Sequence, residues 1–316
     1  MLGGKNMQFR TDMADERRDL YRKANKLEEE VAGIECEEEE RYGNKITRVK
    51  VLNEEGEKAL NKKKGNYITI DLKKVSNLED GERERVEDVI AEEISALTEK
   101  YLVSPEDEAL VVGLGNNDLV CDSLGSKVIE KIEVTRHIKK YYPQFLKEGA
   151  RGISSFATSV MGKTGIETLE IVQGVSDKIK PKLIIAIDSL ASRSIERVNK
   201  SIQISDTGII PGGGVGNERM GITYETLGIP VIAIGVPTAV ETAVIVNDAL
   251  NLFIEKLQDK AQSNDYLNKL KETDNYDEIK EALNPYDYNL VVTPKEIDEL
   301  TVDLAGLISN AINFAL

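Results

Sequence analysis

A short apolar run, Leu183–Ile187, ends abruptly at Asp188 and is followed by small residues as far as Arg193. Its length and its β-branched residues are typical of a strand that is buried on both faces of a parallel sheet. In open α/β sheets, ligands and chemistry gather at the carboxyl ends of such strands. The run therefore predicts a parallel α/β sheet with Asp188 at its functional edge.

A second run has the same pattern, because the apolar Leu110–Gly115 is followed by Asp122 and then by a helical pattern. Two carboxylates at neighbouring strand ends form a candidate acid/base pair. Like-charge repulsion raises one pKa, so the pair can share a proton, and one carboxylate activates water while the other polarises a carbonyl. The alternative is that Asp122 and Asp188 only cap helices, since each precedes Ser-Leu.

Strand-like and helix-like patterns alternate through the middle of the chain, which predicts an α/β fold. The predicted strands lie at 109–114, 131–135, 182–187 and 230–235, and the predicted helices at about 123–130, 164–179, 189–200 and 238–257. An antiparallel strand pair is predicted at 45–52 and 66–72. We predict one α/β domain over residues 13–316, with a mostly parallel central sheet covered by helices on both faces and a polar insertion at about 256–288.

The formal net charge of −15 repels the phosphate backbone, so we expect no direct binding to nucleic acid and favour a basic macromolecular partner. No apolar run approaches the roughly 20 residues that cross a bilayer. The first residues also lack the apolar core of a signal peptide. We therefore expect no membrane association and a cytoplasmic location.

His137 is the only histidine, and Cys36 and Cys121 are the only cysteines. These counts exclude a histidine-rich zinc site, and any Ser-His-Asp or Cys-His arrangement must use His137. Cys121 adjoins Asp122, which leaves a cysteine nucleophile as an alternative, although no histidine lies within fifteen residues of it. We expect carboxylates to carry the chemistry, without a metal or another cofactor.

Glycine-containing segments allow a peptide to approach the backbone closely, because glycine tolerates positive φ and has no side chain. Pro211–Asn217 is the most glycine-dense of them. The dinucleotide fingerprint and the Walker motif are both incomplete, so a nucleotide site is not favoured. The positions that we predict to contact a bound peptide are Gly115, Asn116, Gly165, Arg193, Gly213 and Gly214.

Four longer blocks closely resemble the spore germination protease family: Gly162–Thr168, Ala186–Asn199, Asp206–Ile209 and Leu227–Thr238. The resemblance covers roughly residues 8–250. It implies an endopeptidase that degrades small acid-soluble spore proteins when spores germinate, in the cytoplasm of the spore core. It also implies a fold related to hydrogenase-maturation endopeptidases, a homotetramer and an inactive zymogen.

The resemblance further implies an atypical aspartic mechanism whose two carboxylates map onto Asp122 and Asp188, the pair that the strand patterns indicate. This chain departs from the family pattern around Asn117–Asp118 and at Cys121. Asp118 adds a third carboxylate near the predicted site, which leaves open which pair shares the proton.

Family substrates are cleaved after an acidic residue and before a large apolar one, in contexts that resemble Thr-Glu-Ile-Ala-Ser-Glu. Thr11–Glu16 of this chain, Thr-Asp-Met-Ala-Asp-Glu, repeats that order. We therefore predict a propeptide at residues 1–12 and self-cleavage between Asp12 and Met13. The N-terminal region is highly charged, so we expect a weakly anchored segment that reaches the site as a strand. The alternative is a frayed helix start.

Two other functions remain open from the residues. A metal-assisted endopeptidase, like the hydrogenase-maturation relatives, would be sensitive to chelators. A non-enzymatic, acidic binding partner of spore proteins would use the two aspartates only as helix caps.

Overall fold

The computed structural model describes residues 10–211, 220–260, 276–283 and 290–316. Its strands are β1 Ile34–Arg41, β2 Asn44–Val51, β3 Gly65–Asp71, β4 Ala109–Gly113, β5 Ile153–Ala157, β6 Leu183–Ser192, β7 Ser201–Ser205, β8 Val231–Glu241 and β9 Val291–Val292. Its α-helices are α1 Ala14–Ala24, α2 Glu54–Leu60, α3 Asp80–Thr98, α4 Leu124–Ile129, α5 Arg136–Tyr141, α6 Met161–Thr164, α7 Thr168–Ile179, α8 Tyr224–Leu227, α9 Thr242–Lys260, α10 Tyr276–Leu283 and α11 Ile297–Ala315. Among these residues, no helix combines the length and the hydropathy needed to cross a bilayer.

One sheet runs through the described part of the chain in the order β1-β2-β3-β7-β8-β6-β4-β5, with β9 paired to β8. Its centre is parallel, since β4 pairs with β5 and β6, and β6 pairs with β8, all in the same direction. The predicted α/β fold with a parallel central sheet is therefore confirmed.

The predicted antiparallel pair is also present as β2 and β3, and it belongs to the same sheet because β3 pairs with β7. The patterns missed the outer strand β1, whose sequence contains four consecutive glutamates, Glu37–Glu40. Basic residues on β2 stand opposite this acidic run: Arg48 is the partner of Glu37, and Lys45 of Glu40. Cross-strand charge pairing thus supports a strand that hydrophobic periodicity does not reveal.

Successive residues of the central strands alternate between two apolar layers. Leu183, Ile185 and Ile187 of β6 belong to the cluster that includes residues of α3, α4 and α11. Ile184 and Ala186 belong to a separate cluster that includes Val172 of α7. Helices therefore cover both faces of the parallel centre, as predicted.

Two predicted elements are wrong. The strand predicted at 131–135 is a loop, because Thr135 N–H and its hydroxyl donate to the carbonyls of Ile153 (3.1 Å) and Arg151 (2.5 Å) and so brace the start of the true edge strand β5. The helix predicted at 189–200 is absent, because β6 stays paired with β8 as far as Ser192 and a single 3₁₀ turn follows.

The polar insertion predicted at about 256–288 lies partly outside the described residues. Within it, α9 continues to Lys260, and α10 places Tyr276 in an apolar cluster with Val240 and Val244. The C-terminal helix α11 follows β9.

Candidate active site

Asp188 lies within β6 at the edge of the parallel centre, where it is 6% exposed. Its Oδ1 accepts a hydrogen bond from the N–H of Ser189 at 2.9 Å. Burial raises the pKa of Asp188 well above its ordinary value, and the negative charges of Asp122 and Asp12 raise it further. The Ser189 hydrogen bond opposes this shift without cancelling it. Asp188 is therefore a carboxyl group that holds its proton unusually strongly.

Asp122 lies on the 3₁₀ turn Val120–Asp122, just before α4. The N–H of Asn116 lies 2.9 Å from both its carbonyl oxygen and its Oδ2. This hydrogen bond stabilises the negative charge of the carboxylate. Gly115 allows the close approach, since its φ is +96° and an added Cβ would lie 2.7 Å from Asp122 Oδ1.

A second glycine, Gly125, lets α4 pack closely against the sheet. A Cβ at Gly125 would stand 2.3 Å from the carbonyl oxygen of Leu114 and 2.8 Å from that of Ile187. The absence of a side chain lets the first turn of α4 rest directly on β4 and β6. This contact brings the turn that carries Asp122 next to the strand that carries Asp188.

Asp122 and Asp188 line one cavity of about 290 Å³. Neither serves as a helix cap. No helix begins after Asp188, and the side chain of Asp122 receives the Asn116 N–H of the preceding loop. The helix-cap alternative therefore fails for both residues, and the two carboxyl groups share a cavity.

The N-terminal segment also enters this cavity, because Asp12 is part of its lining. The N–H of Asp12 donates to the carbonyl of Ala191, and Asp12 Oδ2 accepts the N–H of Ala191, both at 2.9 Å. The Gln203 side chain bonds to the main chain on both sides of Met13. Its Nε2 donates to the Asp12 carbonyl at 3.2 Å, and its Oε1 accepts the Ala14 N–H at 2.7 Å.

This segment is firmly held, which corrects the expectation of a weakly anchored lead-in. Met13 is 0% exposed. The Glu16 carboxylate accepts the N–H groups of Arg193 at 2.9 Å and Ser194 at 3.2 Å. Arg197 pairs with the buried Asp15 at 2.5 Å. The start of α1 is thus bonded to the loop that follows β6, so Met13 does not belong to a frayed end.

The remaining residues predicted to contact a peptide lie in different places. Gly115 lines the cavity, and Asn116 donates to Asp122 from the adjacent loop. Gly165 ends α6 at a φ of +71°, with open space where a side chain would be. The Arg193 guanidinium pairs with Asp248 at 2.5 Å. Gly213 and Gly214 lie outside the described residues.

The third carboxylate, Asp118, is exposed and pairs with Lys163. Cys121 lines the cavity, but burial and the Asp122 charge raise the pKa of its thiol, which keeps it in the poorly nucleophilic protonated form. His137 is exposed on α5 and is not among the residues that line the cavity. The described residues thus build no Cys-His pair in this cavity.

Sequence patterns missed two polar residues of the site. Gln203 lies in β7 and reaches the N-terminal segment, and Thr238 lies in β8, lines the cavity and donates to the Cys121 carbonyl at 2.5 Å. Thr238 falls at the start of the helix predicted at 238–257, whereas in the structure it lies in β8. Only the alternation of side chains along a strand could have marked Gln203 and Thr238 as facing the site. Within the described ranges, no three His, Cys, Asp or Glu side chains are grouped so as to hold a metal ion.

Known proteins resemble this chain over nearly its whole length. The sequence model of a family described as Germination protease matches residues 10–269 and 255–316. The germination protease of Clostridium tetani is 45% identical over 316 residues, covering 98% of this chain and 96% of the relative. That of Caldanaerobacter subterraneus subsp. tengcongensis is 47% identical over 312 residues, covering 98% and 94%. That of Bacillus mycoides is 38% identical over 342 residues, covering 97% and 93%.

Among solved structures, the [NiFe] hydrogenase maturation protease HycI from Thermococcus kodakarensis aligns with 15% identity and a TM-score of 0.33, covering 68% of this chain and 98% of that one. The family match and the full-length identities confirm the resemblance seen in the sequence blocks. This chain, whose sheet places Asp122 and Asp188 in one cavity, therefore belongs to the germination protease family.

Proposed function

We propose that this chain is an endopeptidase that degrades small acid-soluble spore proteins during spore germination, and that Asp122 and Asp188 carry the hydrolysis. The observation that supports this most directly is the shared cavity, in which Asp188 has a raised pKa and the Asp122 carboxyl accepts the N–H of Asn116. Two carboxyls with unequal proton affinity can divide acid and base roles between them.

In this mechanism Asp122 is the base and Asp188 is the acid. Asp122 takes a proton from water as the water oxygen attacks the peptide carbonyl carbon, and Asp188 gives its proton to the carbonyl oxygen. The tetrahedral intermediate then collapses. Its C–N bond breaks, the proton held by Asp122 passes to the departing amine, and a hydroxyl proton returns to Asp188. No charge is created or lost over the cycle.

The same site is proposed to cut the chain itself between Asp12 and Met13 and so remove a propeptide of residues 1–12. Three contacts support this. Asp12 lines the carboxylate cavity, it pairs with Ala191 at the end of β6, and its carbonyl accepts the Gln203 side chain. A segment held this way blocks the cavity, which is how an uncut chain would stay inactive.

The resemblance also suggests a homotetramer in the cytoplasm of the spore core. Exposed apolar side chains on two parts of the surface, Tyr141, Tyr142 and Phe145 near α5 and Leu252 and Phe253 on α9, are consistent with burial between copies. The net charge of −15 favours attraction to basic-to-neutral protein substrates over nucleic acid. Light scattering coupled to size exclusion measures the number of copies directly.

The test is incubation of the purified protein, expressed from Met13 so that wild type and variants alike lack the blocking segment, with a small acid-soluble spore protein, followed by mass spectrometric mapping of the cuts. Asp122→Asn and Asp188→Asn keep side-chain size but remove the titrating carboxyl. We expect folded variants whose cleavage rate falls by about 10²–10⁴-fold. Asp118→Asn is the matched control and should keep its activity, because Asp118 is exposed and paired with Lys163.

Near-normal cleavage by either cavity variant would exclude the carboxylate pair. Restoration of a variant's activity by an added divalent cation would favour the metal-assisted alternative. Binding of the spore protein by the wild-type chain without any cut would favour the non-enzymatic one.

A further inference from the structure

A second cavity of about 600 Å³ lies beside the first. Asp12, Leu190 and Ile210 line both cavities, so the N-terminal segment stands where the two adjoin. The second cavity contains the end of α2 and part of β3 in its wall, including Lys62 and Tyr67. We call it the Lys62 cavity.

The Lys62 cavity is rich in cations although the chain as a whole carries −15. Four basic residues line it, Arg17, Lys58, Lys62 and Lys63, beside the acidic Asp12, Glu57 and Glu225. Removal of residues 1–12 would take away the Asp12 carboxylate and leave an excess of two positive charges in the lining. A carboxylate brought to the position of Asp12 would lower this excess to one.

Arg17 and Lys62 have different roles in this wall. The Arg17 guanidinium donates to the main-chain carbonyls of Thr11 at 2.8 Å and Asn61 at 2.7 Å, which ties the N-terminal segment to the end of α2. Asn61 ends α2 in the left-handed conformation, with a φ of +49°, and Lys62 is the next residue. The Lys62 Nζ lies 5.5 Å from the centre of the Tyr67 ring. Lys62 is half-buried, whereas Lys58 and Lys63 are exposed.

We propose that the Lys62 cavity receives the acidic side chain of the substrate residue that precedes the cleaved bond, and that Lys62 selects the negative charge of that residue. The inference rests on the proposed function, since Asp12 is this chain's own residue before its proposed cleavage point. A half-buried ammonium near that position attracts a carboxylate more strongly than a surface lysine does, because less water screens the pair.

The charge of Lys62 changes near neutral pH. Burial lowers the pKa of Lys62 to about 7, and the positive charge of Arg17 adds to this effect. Asp12 and Asp15 oppose it. The other titratable groups in this wall are those of Tyr67, Glu57, Lys58, Lys63 and Glu225. Lys62 is charged below its pKa, so selection of an acidic residue is strongest in mild acid and fades as the pH rises.

The experiment uses the full-length, self-cleaved protein and two peptides: a copy of residues 8–17 and the same peptide with Asp12→Asn. We measure kcat/KM for both from about pH 6 to about pH 8.5, a range in which the peptide carboxylates stay ionised. The variants are Lys62→Gln, Lys62→Arg, and Lys63→Gln as the matched control. Because kcat/KM reports ionisations of the free enzyme, the ratio of kcat/KM for the two peptides cancels the ionisation of Asp188 that both share, and its pH dependence follows Lys62.

For the wild type and Lys63→Gln we expect a preference of about tenfold for the acidic peptide near pH 6, which declines through neutral pH. Lys62→Gln should lose this preference, so that the ratio of kcat/KM for the two peptides approaches one at every pH. Lys62→Arg should keep the preference at every pH, because guanidinium does not titrate in this range.

An undiminished preference in Lys62→Gln would overturn the inference. So would equal cleavage of the two peptides by a wild-type protein that cuts a small acid-soluble spore protein normally. If the wild-type protein cuts neither the peptides nor the spore protein, the proposed function itself fails and the inference falls with it.

Discussion

Asp12 is hydrogen-bonded twice to Ala191, the residue that stands three positions after Asp188 on β6. A segment paired in this way runs beside the strand that carries the buried carboxyl, and Asp12 contributes to the raised pKa of Asp188. The structure therefore holds a peptide next to the proposed catalytic pair, and that peptide comes from the chain itself.

Cleavage should depend on pH through Asp188. The pKa of Asp188 is raised in the folded state, so the proposed acid is present at low pH and is lost as the pH rises through that value. We expect self-cleavage of the wild-type chain to accelerate in mild acid and to slow on the alkaline side. Intact mass measured over time across a pH series checks this, and a rate that increases with pH would contradict it.

Folding stability should follow the same ionisation. Because the folded state binds the Asp188 proton more tightly than the unfolded chain does, the stabilisation is complete below the ordinary carboxyl pKa of about 3.9 and is lost as the pH rises through the raised value. Asp188→Asn has no carboxyl to ionise, so it should not be destabilised as the pH rises. Its Tm at neutral pH should therefore exceed that of the wild type. Asp118→Asn, at an exposed aspartate, should leave the pH dependence of Tm unchanged.

Cys121 should be dispensable for cleavage. Burial and the Asp122 charge raise the pKa of its thiol, so little thiolate is present at neutral pH. Cys121→Ala should retain most of the activity, and iodoacetamide should react slowly. Cys36, whose pKa burial also raises, is the internal comparison for alkylation. Complete loss of activity in a folded Cys121→Ala protein would contradict this prediction and favour a cysteine nucleophile.

Gln203 should promote self-cleavage. Its Nε2 donates to the carbonyl oxygen of the proposed cleaved bond, and a donor at that oxygen stabilises the charge that develops during attack. Gln203→Met should slow self-cleavage by about 10–100-fold, somewhat less than the loss of a preorganised oxyanion donor, since the donor lies at 3.2 Å. Gln173→Met, on the exposed face of α7, is the control. Equal rates in the two variants, followed by intact mass, would remove Gln203 from the mechanism.

Arg197 should stabilise the docking of α1. It pairs with Asp15 at 2.5 Å and approaches Asp71 at 3.5 Å and Glu16 at 3.8 Å. Its removal would leave the buried carboxylates of Asp15 and Glu16 without this cationic partner. Arg197→Met should lower the free energy of unfolding by about 2–4 kcal/mol.

Arg193→Met is the matched comparison, because the Arg193 partner Asp248 is 46% exposed. A partly solvated pair contributes about 0–1 kcal/mol. Urea unfolding of both variants separates the two cases, and equal destabilisation would contradict the anchoring role of Arg197. The activity of Arg193→Met on a spore protein tests separately the prediction that Arg193 contacts substrate.

Short patterns in the sequence were sufficient for three strands of the parallel centre, β4, β6 and β8, and for placing Asp122 and Asp188 near their carboxyl ends, while the catalytic role of the two residues stays a prediction. The reason is that a fully buried strand must be apolar throughout, so the polar residue that ends the run stands out, as Asp188 does after Leu183–Ile187. The resemblance of the longer blocks identified the family, and the full-length identities agree with it.

Only the tertiary structure decided where elements end and what meets at the site. β6 runs on past Asp188 because β8 offers it a partner as far as Ser192, which no local propensity encodes. Gln203 and Asp12 lie 191 positions apart in the chain, and their hydrogen bond exists because β7 joins the sheet between β3 and β8. Local sequence determines which residues can be buried, but strand pairing across long distances determines which of them come together.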